Sequence, residues 1–266
     1  MWRAGLLLLG LSALGAVGGP PPHYARAQGL QVELRLSAEP EIFAALRFRM
    51  EAGWHLYWKN PGDSGLPPEV AWDLPEGWKA GPLEHPVPIA LPSMEGLDYG
   101  HSGTFTLLVK LIPPAGKKPK GTVRARLDWL ACKEACVRGE ALLSANLEDE
   151  RIRLKPDELD FIRTKFPLKQ HTGVQAGPAS ILKSADQWLI EIPLLGRDAV
   201  NAQAFFPEPM PGFSIVHRDV RIKGGVLRIP VLPSGPDSKL TTLRGVLCVG
   251  GQGVALELPL PGAPAP

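Results

Sequence analysis

The sequence predicts an all-β protein of two sandwich domains joined by a short helical linker, and three observations support this prediction. The 266 residues include 29 Pro and 29 Gly, a composition that favours turns over long helices. Short segments in which apolar and polar residues alternate recur along the chain, as expected for strands with one face on a core. A hydrophobic content of 44% at this length can fill one large or two modest cores.

Residues 1–27 are typical of a signal peptide that is cleaved near Ala27. Arg3 supplies a positive charge, an apolar run extends from residue 6 to residue 17, and Ala25-Arg26-Ala27 fits the small-residue cleavage pattern. No later run reaches about eighteen apolar residues, the length of a membrane-spanning helix. We therefore expect export, no stable membrane insertion after cleavage, and an environment in which disulfides persist.

The first predicted domain spans residues 28–148. The aromatic cluster at 54–58 precedes Asn60-Pro61-Gly62-Asp63, a strong turn signal, and is expected to be core packing beside a tight turn. The alternative is that these aromatic side chains shield a thiol pair or contact a partner. An exposed loop is predicted at 94–103, before a strand at 104–111. Two further strands are predicted where apolar residues alternate with charged ones: Val32, Leu34, Leu36, Ala44, Leu46 and Phe48.

A linker is predicted over residues 149–176. Within it, Lys155-Pro156-Asp157-Glu158 favours the start of a short helix, which Pro167 would end. A second β-sandwich follows over 177–260, and the Pro/Ala-rich residues 261–266 are predicted to be a disordered tail. The strands of the second sandwich are predicted at residues 188–192, 204–206, 213–216, 226–231, 243–249 and 254–258.

Two of the three cysteines, Cys132 and Cys136, lie between the alternating segments 123–129 and 141–147, which predicts a hairpin. A disulfide requires Cα atoms roughly 4.4–6.8 Å apart, whereas four steps along an extended strand span about 13 Å. If the pair is bonded, residues 133–135 must form a turn. Cys132 falls on the wetter side of the first strand, so we expect its sulfur to be accessible.

The spacing alone leaves two uses of this pair open. A structural staple that closes so small a loop stabilises by about 2 kcal/mol, against roughly 4.7 for a hundred-residue loop, so a staple would do better between distant strands. A redox pair would cycle between dithiol and disulfide through a mixed disulfide. Lys133 and Arg138 would favour the thiolate form, and Glu134 would oppose it.

A metal site is a third alternative, because thiolates and thioethers select copper(I). The candidate ligands are scattered and include no second close Cys/His pair, so we predict no metal site. These candidates are Cys132, Cys136, His85, His101 and Met94. The third cysteine, Cys248, is predicted to be a buried free thiol, with a mixed-disulfide or dimer site as the alternative.

Other function classes lack support in the sequence. The net charge of +2 gives no electrostatic case for binding nucleic acid. No nucleophile elbow, His-Glu-x-x-His motif or phosphate loop is present, which leaves no hydrolase signature.

Four motifs resemble one known family. They are Gly-Trp-His-Leu-Tyr-Trp-Lys-Asn-Pro-Gly-Asp-Ser-Gly-Leu-Pro-Pro at 53–68, Leu-Pro-Glu-Gly-Trp at 74–78, Asp98-Tyr99-Gly100, and Trp-Leu-Ala-Cys-Lys-Glu-Ala-Cys at 129–136. In this order, over roughly 30–148, they resemble the N-terminal periplasmic domain of DsbD-type thiol:disulfide interchange proteins. The resemblance is to the branch associated with the suppressor-of-copper-sensitivity reductases. The cysteines are closer together here than in the best-known members.

The resemblance implies immunoglobulin-like sandwiches, a periplasmic location and a component of a protein-disulfide reductase that needs no cofactor. The Cys132/Cys136 pair would receive electrons from a thioredoxin-like domain served by a membrane electron-transfer protein. It would pass them to oxidised periplasmic proteins such as isomerases or factors of cytochrome c biogenesis. Cys136 would enter the mixed disulfide, and Cys132 would resolve it. A cap loop would cover the pair, with Asp98, Tyr99 and Gly100 in the matching positions; the alternative is that Tyr99 is an ordinary loop residue.

The rival hypothesis belongs to a different functional class. In it the chain is a non-catalytic periplasmic binding or adaptor module, or a copper-handling protein linked to copper tolerance, and the disulfide is only structural.

Overall fold

The computed structural model describes residues 21–37, 40–94, 96–116, 119–184 and 186–261. The predicted signal-peptide residues 1–20 and the tail residues 262–266 lie outside these ranges. The all-β prediction is confirmed, because strands form most of the described chain and are arranged as two sandwiches.

The strands up to the helix form the first sandwich. In chain order they are β1 (Tyr24–Ala27), β2 (Leu30–Ser37), β3 (Ile42–Met50), β4 (His55–Gly62), β5 (Glu69–Asp73), β6 (Lys79–Glu84), β7 (Ile89–Pro92), β8 (Leu97–Ser102), β9 (Thr104–Ile112), β10 (Thr122–Cys132), β11 (Cys136–Asn146) and β12 (Arg153–Leu154).

Two sheets face each other in this first sandwich. One has the order β1-β2-β3-β9-β6 with β12 beside β2, and the other has the order β11-β10-β4-β8-β7 with β5 beside β10. The alternation read from the sequence produces the core between them: along β2, every second side chain is buried, and those of β10 meet it from the opposite sheet. The strands predicted at 104–111 and at the two charged-alternating segments are confirmed as β9, β2 and β3.

The remaining elements form the helix and the second sandwich. They are α1 (Pro156–Arg163), β13 (Gln175–Ala176), β14 (Ser180–Lys183), β15 (Trp188–Leu195), β16 (Ala202–Pro207), β17 (Phe213–Ile215), β18 (Arg221–Lys223), β19 (Val226–Pro233), β20 (Thr242–Val249) and β21 (Gln252–Pro259). One sheet has the order β13-β15-β19-β17, with β14 beside β15 and β18 beside β19, and the other has the order β16-β20-β21. All six strands predicted in this region are present.

The segment predicted as a linker is tied to the first sandwich. Strand β12 pairs in parallel with β2, and helix α1 packs Leu159 against Phe43 and Ala45 on the outer face of the first sheet. The helix starts with Pro156 in its first turn, and the Glu158 carboxylate accepts a hydrogen bond from the backbone N–H of Lys155 at 3.1 Å. These contacts hold the helix against the sheet instead of leaving it between two independent bodies.

The two sandwiches share a buried cluster. Trp58 and Tyr99 of the first pack against Phe206 and Val246 of the second, with the Tyr99 and Phe206 ring centroids 5.2 Å apart. Asn60 adds a buried hydrogen bond, because its Nδ2 donates to the carbonyl oxygen of Pro207 at 2.8 Å. The second sandwich therefore rests directly on strand β4.

Strand β1 lies inside the segment predicted to be removed with the signal peptide. Tyr24–Ala27 pairs antiparallel with β2, and the carbonyl oxygen of Pro22 accepts a hydrogen bond from the N–H of Ser144 at 3.0 Å. Cleavage after Ala27 would delete this edge strand, so the cleavage site stays a prediction. Among the described residues, no helix has the length and apolar character to cross a bilayer.

Candidate functional site

The predicted hairpin brings the two cysteines together. Strands β10 and β11 pair antiparallel over their full length, with Cys132 directly opposite Cys136 at the end of the ladder next to the turn. Lys133, Glu134 and Ala135 form the predicted turn, and the two cysteines are disulfide-bonded with Cα atoms 4.1 Å apart. The pair therefore sits at the tip of a long, well-anchored hairpin.

The two cysteines differ in their exposure to solvent. Cys136 is exposed, whereas Cys132 is only 4% exposed. The expectation that Cys132 would be accessible is therefore wrong. It fails because β10 pairs near its end with β4, which places Cys132 opposite His55 and beneath the side chains of that strand. Cys136 is therefore the more accessible residue of the pair.

Tyr57 of β4 is the side chain that contacts the disulfide. Its hydroxyl donates a hydrogen bond to Sγ of Cys132 at 3.2 Å and lies 3.5 Å from Sγ of Cys136. The His55 ring packs edge-on against Tyr57, with centroids 5.4 Å apart, and burial lowers the pKa of the His55 imidazole. The site thus holds a phenolic donor beside the sulfurs and a histidine that favours its neutral form.

The turn after β4 supports Tyr57 from the other side. Gly65 adopts a φ of +80°, and a Cβ at this position would lie 2.1 Å from the Tyr57 ring, so only glycine allows this contact. The buried Asp98 carboxylate fixes the turn, because it accepts hydrogen bonds from the backbone N–H of Ser64 at 2.9 Å and from the Ser64 hydroxyl at 2.8 Å.

The structure places the other two residues of the predicted cap inside the fold. The exposed loop expected at 94–103 is wrong over Leu97–Ser102, which is strand β8. Tyr99 is 1% exposed, and its hydroxyl lies 3.2 Å from Nδ1 of His217 in the second sandwich. A Cβ on Gly100 would lie 2.3 Å from the carbonyl oxygen of Leu56, so glycine permits the close approach of β8 to β4. The cap role of Asp98, Tyr99 and Gly100 stays a prediction, which these contacts do not support.

Tyr57 is the residue at this site that the sequence did not separate from its aromatic neighbours. The aromatic cluster at 54–58 was expected to be core packing, and this is correct for Trp58, which faces the second sandwich. Successive residues of a strand point to opposite faces, so Tyr57 faces the disulfide instead. Had the pairing of β4 with β10 been known, this alternation would have identified Tyr57.

The candidate copper ligands do not come together as one set. Met94 is fully exposed, whereas His85 and His101 are buried and stack on each other with ring centroids 5.8 Å apart. Desolvation lowers the pKa of both imidazoles to about 3. Across the part of the chain that the structure describes, no three His, Cys, Asp or Glu side chains form a group able to hold a metal ion.

Cys248 lies in the cluster between the two sandwiches. It is a free thiol and is partly buried against the group that contains Trp58, Tyr99 and Phe206. Burial raises the pKa of this thiol, which disfavours the reactive thiolate. This environment agrees with the predicted free thiol, which is partly rather than fully buried.

A two-sandwich, all-β scaffold with a short-range disulfide between an exposed and a buried cysteine is compatible with a thiol:disulfide exchange module. Residues 27–148 match the family model described as thiol:disulfide interchange protein DsbD, N-terminal, which confirms the resemblance inferred from the motifs.

The fold is similar to the crystal structure of the N-terminal periplasmic domain of ScsB from Proteus mirabilis. The TM-score is 0.70 and the sequence identity is 14%, and the match covers 91% of this chain and 99% of that one. It therefore includes both sandwiches, and the prediction of an all-β, immunoglobulin-like fold is confirmed. A comparison with curated proteins yields no match.

Proposed function

We propose that this protein relays electrons in the periplasm by thiol–disulfide exchange through Cys132 and Cys136. The observation that carries the proposal is the asymmetry of the pair: Cys136 is an exposed residue, whereas Cys132 is buried and accepts a hydrogen bond from the Tyr57 hydroxyl. Such a disulfide closes too small a loop to stabilise the chain strongly, yet it is open to attack by another protein.

We infer the order of the exchange steps from the exposure of Cys136. A thiolate of the electron donor attacks Sγ of Cys136, forms a mixed disulfide with it and releases Cys132 as a thiolate. The second thiolate of the donor then attacks the donor sulfur in this mixed disulfide. This step releases Cys136, so that Cys132 and Cys136 are left as a dithiol and the donor is left as a disulfide. When the reduced pair passes its electrons on, Cys136 attacks the disulfide of an oxidised partner and forms a mixed disulfide. Cys132 then attacks Sγ of Cys136, which releases the reduced partner and restores the Cys132–Cys136 disulfide. Two electrons move in each transfer.

The Tyr57 hydroxyl stabilises the thiolate of Cys132 in these steps. Because it already donates to Sγ of Cys132, it is placed to hydrogen-bond the thiolate that forms there when the disulfide opens. Hydrogen bonds to charged groups are stronger than those to neutral ones, so the contact gains strength as negative charge develops. This arrangement favours Cys132 as the leaving group and Cys136 as the sulfur that is attacked.

The family match supports the location and partners in this proposal. The similar ScsB domain is named as periplasmic, and the matching family is named for thiol:disulfide interchange. We therefore propose a periplasmic protein that takes electrons from a thioredoxin-like domain linked to a membrane electron-transfer protein. Its acceptors would be oxidised proteins, including those of cytochrome c biogenesis or copper tolerance.

A redox titration tests the proposal against the structural-staple alternative. We expect the purified protein, equilibrated with dithiothreitol buffers and alkylated, to show a Cys132/Cys136 potential above about −300 mV, because accessible disulfides are the reducible ones. A potential well below that value would mean that physiological thiols leave the bridge closed, and the relay would then be excluded. A Cys248→Ser variant serves as the control, because it removes the third thiol without touching the pair.

A Tyr57→Phe variant tests the role of the hydroxyl. Phenylalanine keeps the ring against Gly65 but removes the donor to Cys132, so we expect reduction of the disulfide by dithiothreitol to slow by about tenfold. Stopped-flow fluorescence or timed alkylation gives the rate. Tyr24→Phe, on the edge strand β1, should leave it unchanged. Equal rates for wild type and Tyr57→Phe would remove the hydroxyl from the mechanism.

A further inference from the structure

A cavity of about 630 Å³ lies between the two sandwiches, away from the disulfide hairpin. Its walls come from the outer face of the first sheet, from helix α1 and the residues after it, from residues 86–89 and the end of β8, and from residues 251–253 of the second sandwich. The volume falls in the range of small-molecule sites, which occur preferentially where domains meet.

The apolar wall of this cavity is unusually exposed. Ile89, Phe161 and Leu168 are among the large hydrophobic side chains that the structure leaves open to solvent, and all three line the cavity. The stacked rings of His101 and Phe105, with centroids 4.7 Å apart, add an aromatic surface. Apolar side chains gathered in a concave site mark a place where a partner molecule removes them from water.

The charged side chains of the cavity leave an excess of positive charge. Arg35 and Glu158 neutralise each other through two hydrogen bonds of 2.8 and 3.1 Å. The half-buried guanidinium of Arg47 has no ion pair or side-chain hydrogen bond within the described part of the chain. Lys165 lies over the Phe161 ring at 5.0 Å, and Asp157 is the one remaining acid among the lining residues.

An unpaired guanidinium beside an apolar wall is suited to one class of ligand. Arg47 presents planar donors that match the geometry of a carboxylate, and partial burial strengthens that interaction. We propose that the cavity binds a small amphipathic carboxylate, with the carboxylate at Arg47 and the apolar body against Phe161 and Leu168. This site is independent of the redox pair.

Calorimetry with octanoate tests the proposal on the full chain in its disulfide-bonded form. We expect saturable binding of octanoate, at least about tenfold weaker binding of 1-octanol and octylammonium, and about tenfold weaker octanoate binding in Arg47→Gln. Arg49→Gln is the matched control, because Arg49 lies two residues further along β3 on the same face but is exposed and outside the cavity.

A second variant separates the apolar contact from the charge. Phe161→Ser changes an exposed helix position, so the fold should tolerate it, and octanoate binding should again weaken severalfold. The proposal is overturned by absence of saturable binding up to about 10 mM, by octylammonium binding as tightly as octanoate, or by equal affinities of Arg47→Gln and Arg49→Gln. Binding should be unchanged in Cys132→Ser/Cys136→Ser, which keeps this test separate from the redox proposal.

Discussion

Cells that export a Cys132→Ala variant are expected to accumulate disulfide-linked adducts through Cys136, whereas Cys136→Ala cells should accumulate almost none. In the first variant the exposed cysteine can still attack a partner disulfide, but the sulfur that resolves the mixed disulfide is missing. In the second, the remaining sulfur is 4% exposed and covered by Tyr57, so no partner reaches it. Non-reducing gels after acid quenching measure the difference, which should exceed about tenfold.

Comparing the two variants is more informative than measuring either one alone. Both variants lack the disulfide and therefore lose the same stabilisation from loop closure. A difference in their adduct levels then reports how accessible the remaining sulfur is, and not a difference in folding. Cys248→Ser in the Cys132→Ala background controls for adducts through the third cysteine. Equal adduct levels in the two single variants, or none in either under conditions that trap a known exchange protein, would contradict the assigned order of attack.

The sequence was sufficient to predict the hairpin but not its surroundings. Alternation along 123–129 and 141–147 depends only on which face each side chain takes, so it predicted strands, turn and pairing correctly. The alternation also placed Cys132 on the more polar face of β10, which predicted an accessible side chain, but the structure buries it. The cause is a contact distant in sequence, since β4 covers it with Tyr57, 75 residues away. Local periodicity carries no information about which strand lies alongside.

The Asp98-Tyr99-Gly100 motif is a second case in which contacts distant in sequence could not be predicted. The residues at 94–103 were predicted to form an exposed loop, and the family resemblance implied that this motif caps the cysteine pair. In the fold, Asp98 holds the turn at Ser64, Tyr99 meets His217 and Gly100 lets two strands approach. Each role depends on a partner at least 34 positions away in the chain, and Tyr99 has its partner in the second sandwich. Such a partner cannot be read from the motif itself.

The buried histidine pair should make the protein much less stable in mild acid. Burial lowers the pKa of His85 and His101 to about 3, so both stay neutral in the folded protein at pH 5. In the unfolded chain they bind protons near pH 6.5. Because the unfolded state then binds more protons, the free energy of unfolding falls as the pH drops from about 6.5 toward 3. Between pH 7 and pH 5 we expect a loss of about 2 kcal/mol for each histidine.

Urea unfolding at pH 7 and pH 5 measures this loss. The double variant His85→Gln/His101→Gln should flatten the dependence, because neither glutamine titrates, whereas His23→Gln should keep it. Burial also lowers the pKa of His55 and His217, so a smaller slope of the same sign should remain in the double variant. A wild-type free energy of unfolding that is equal at pH 7 and pH 5 would contradict the prediction. Imidazole NMR shifts that show either buried ring protonated at pH 5 would also contradict it, because the folded protein would then already bind the proton assigned to the unfolded chain.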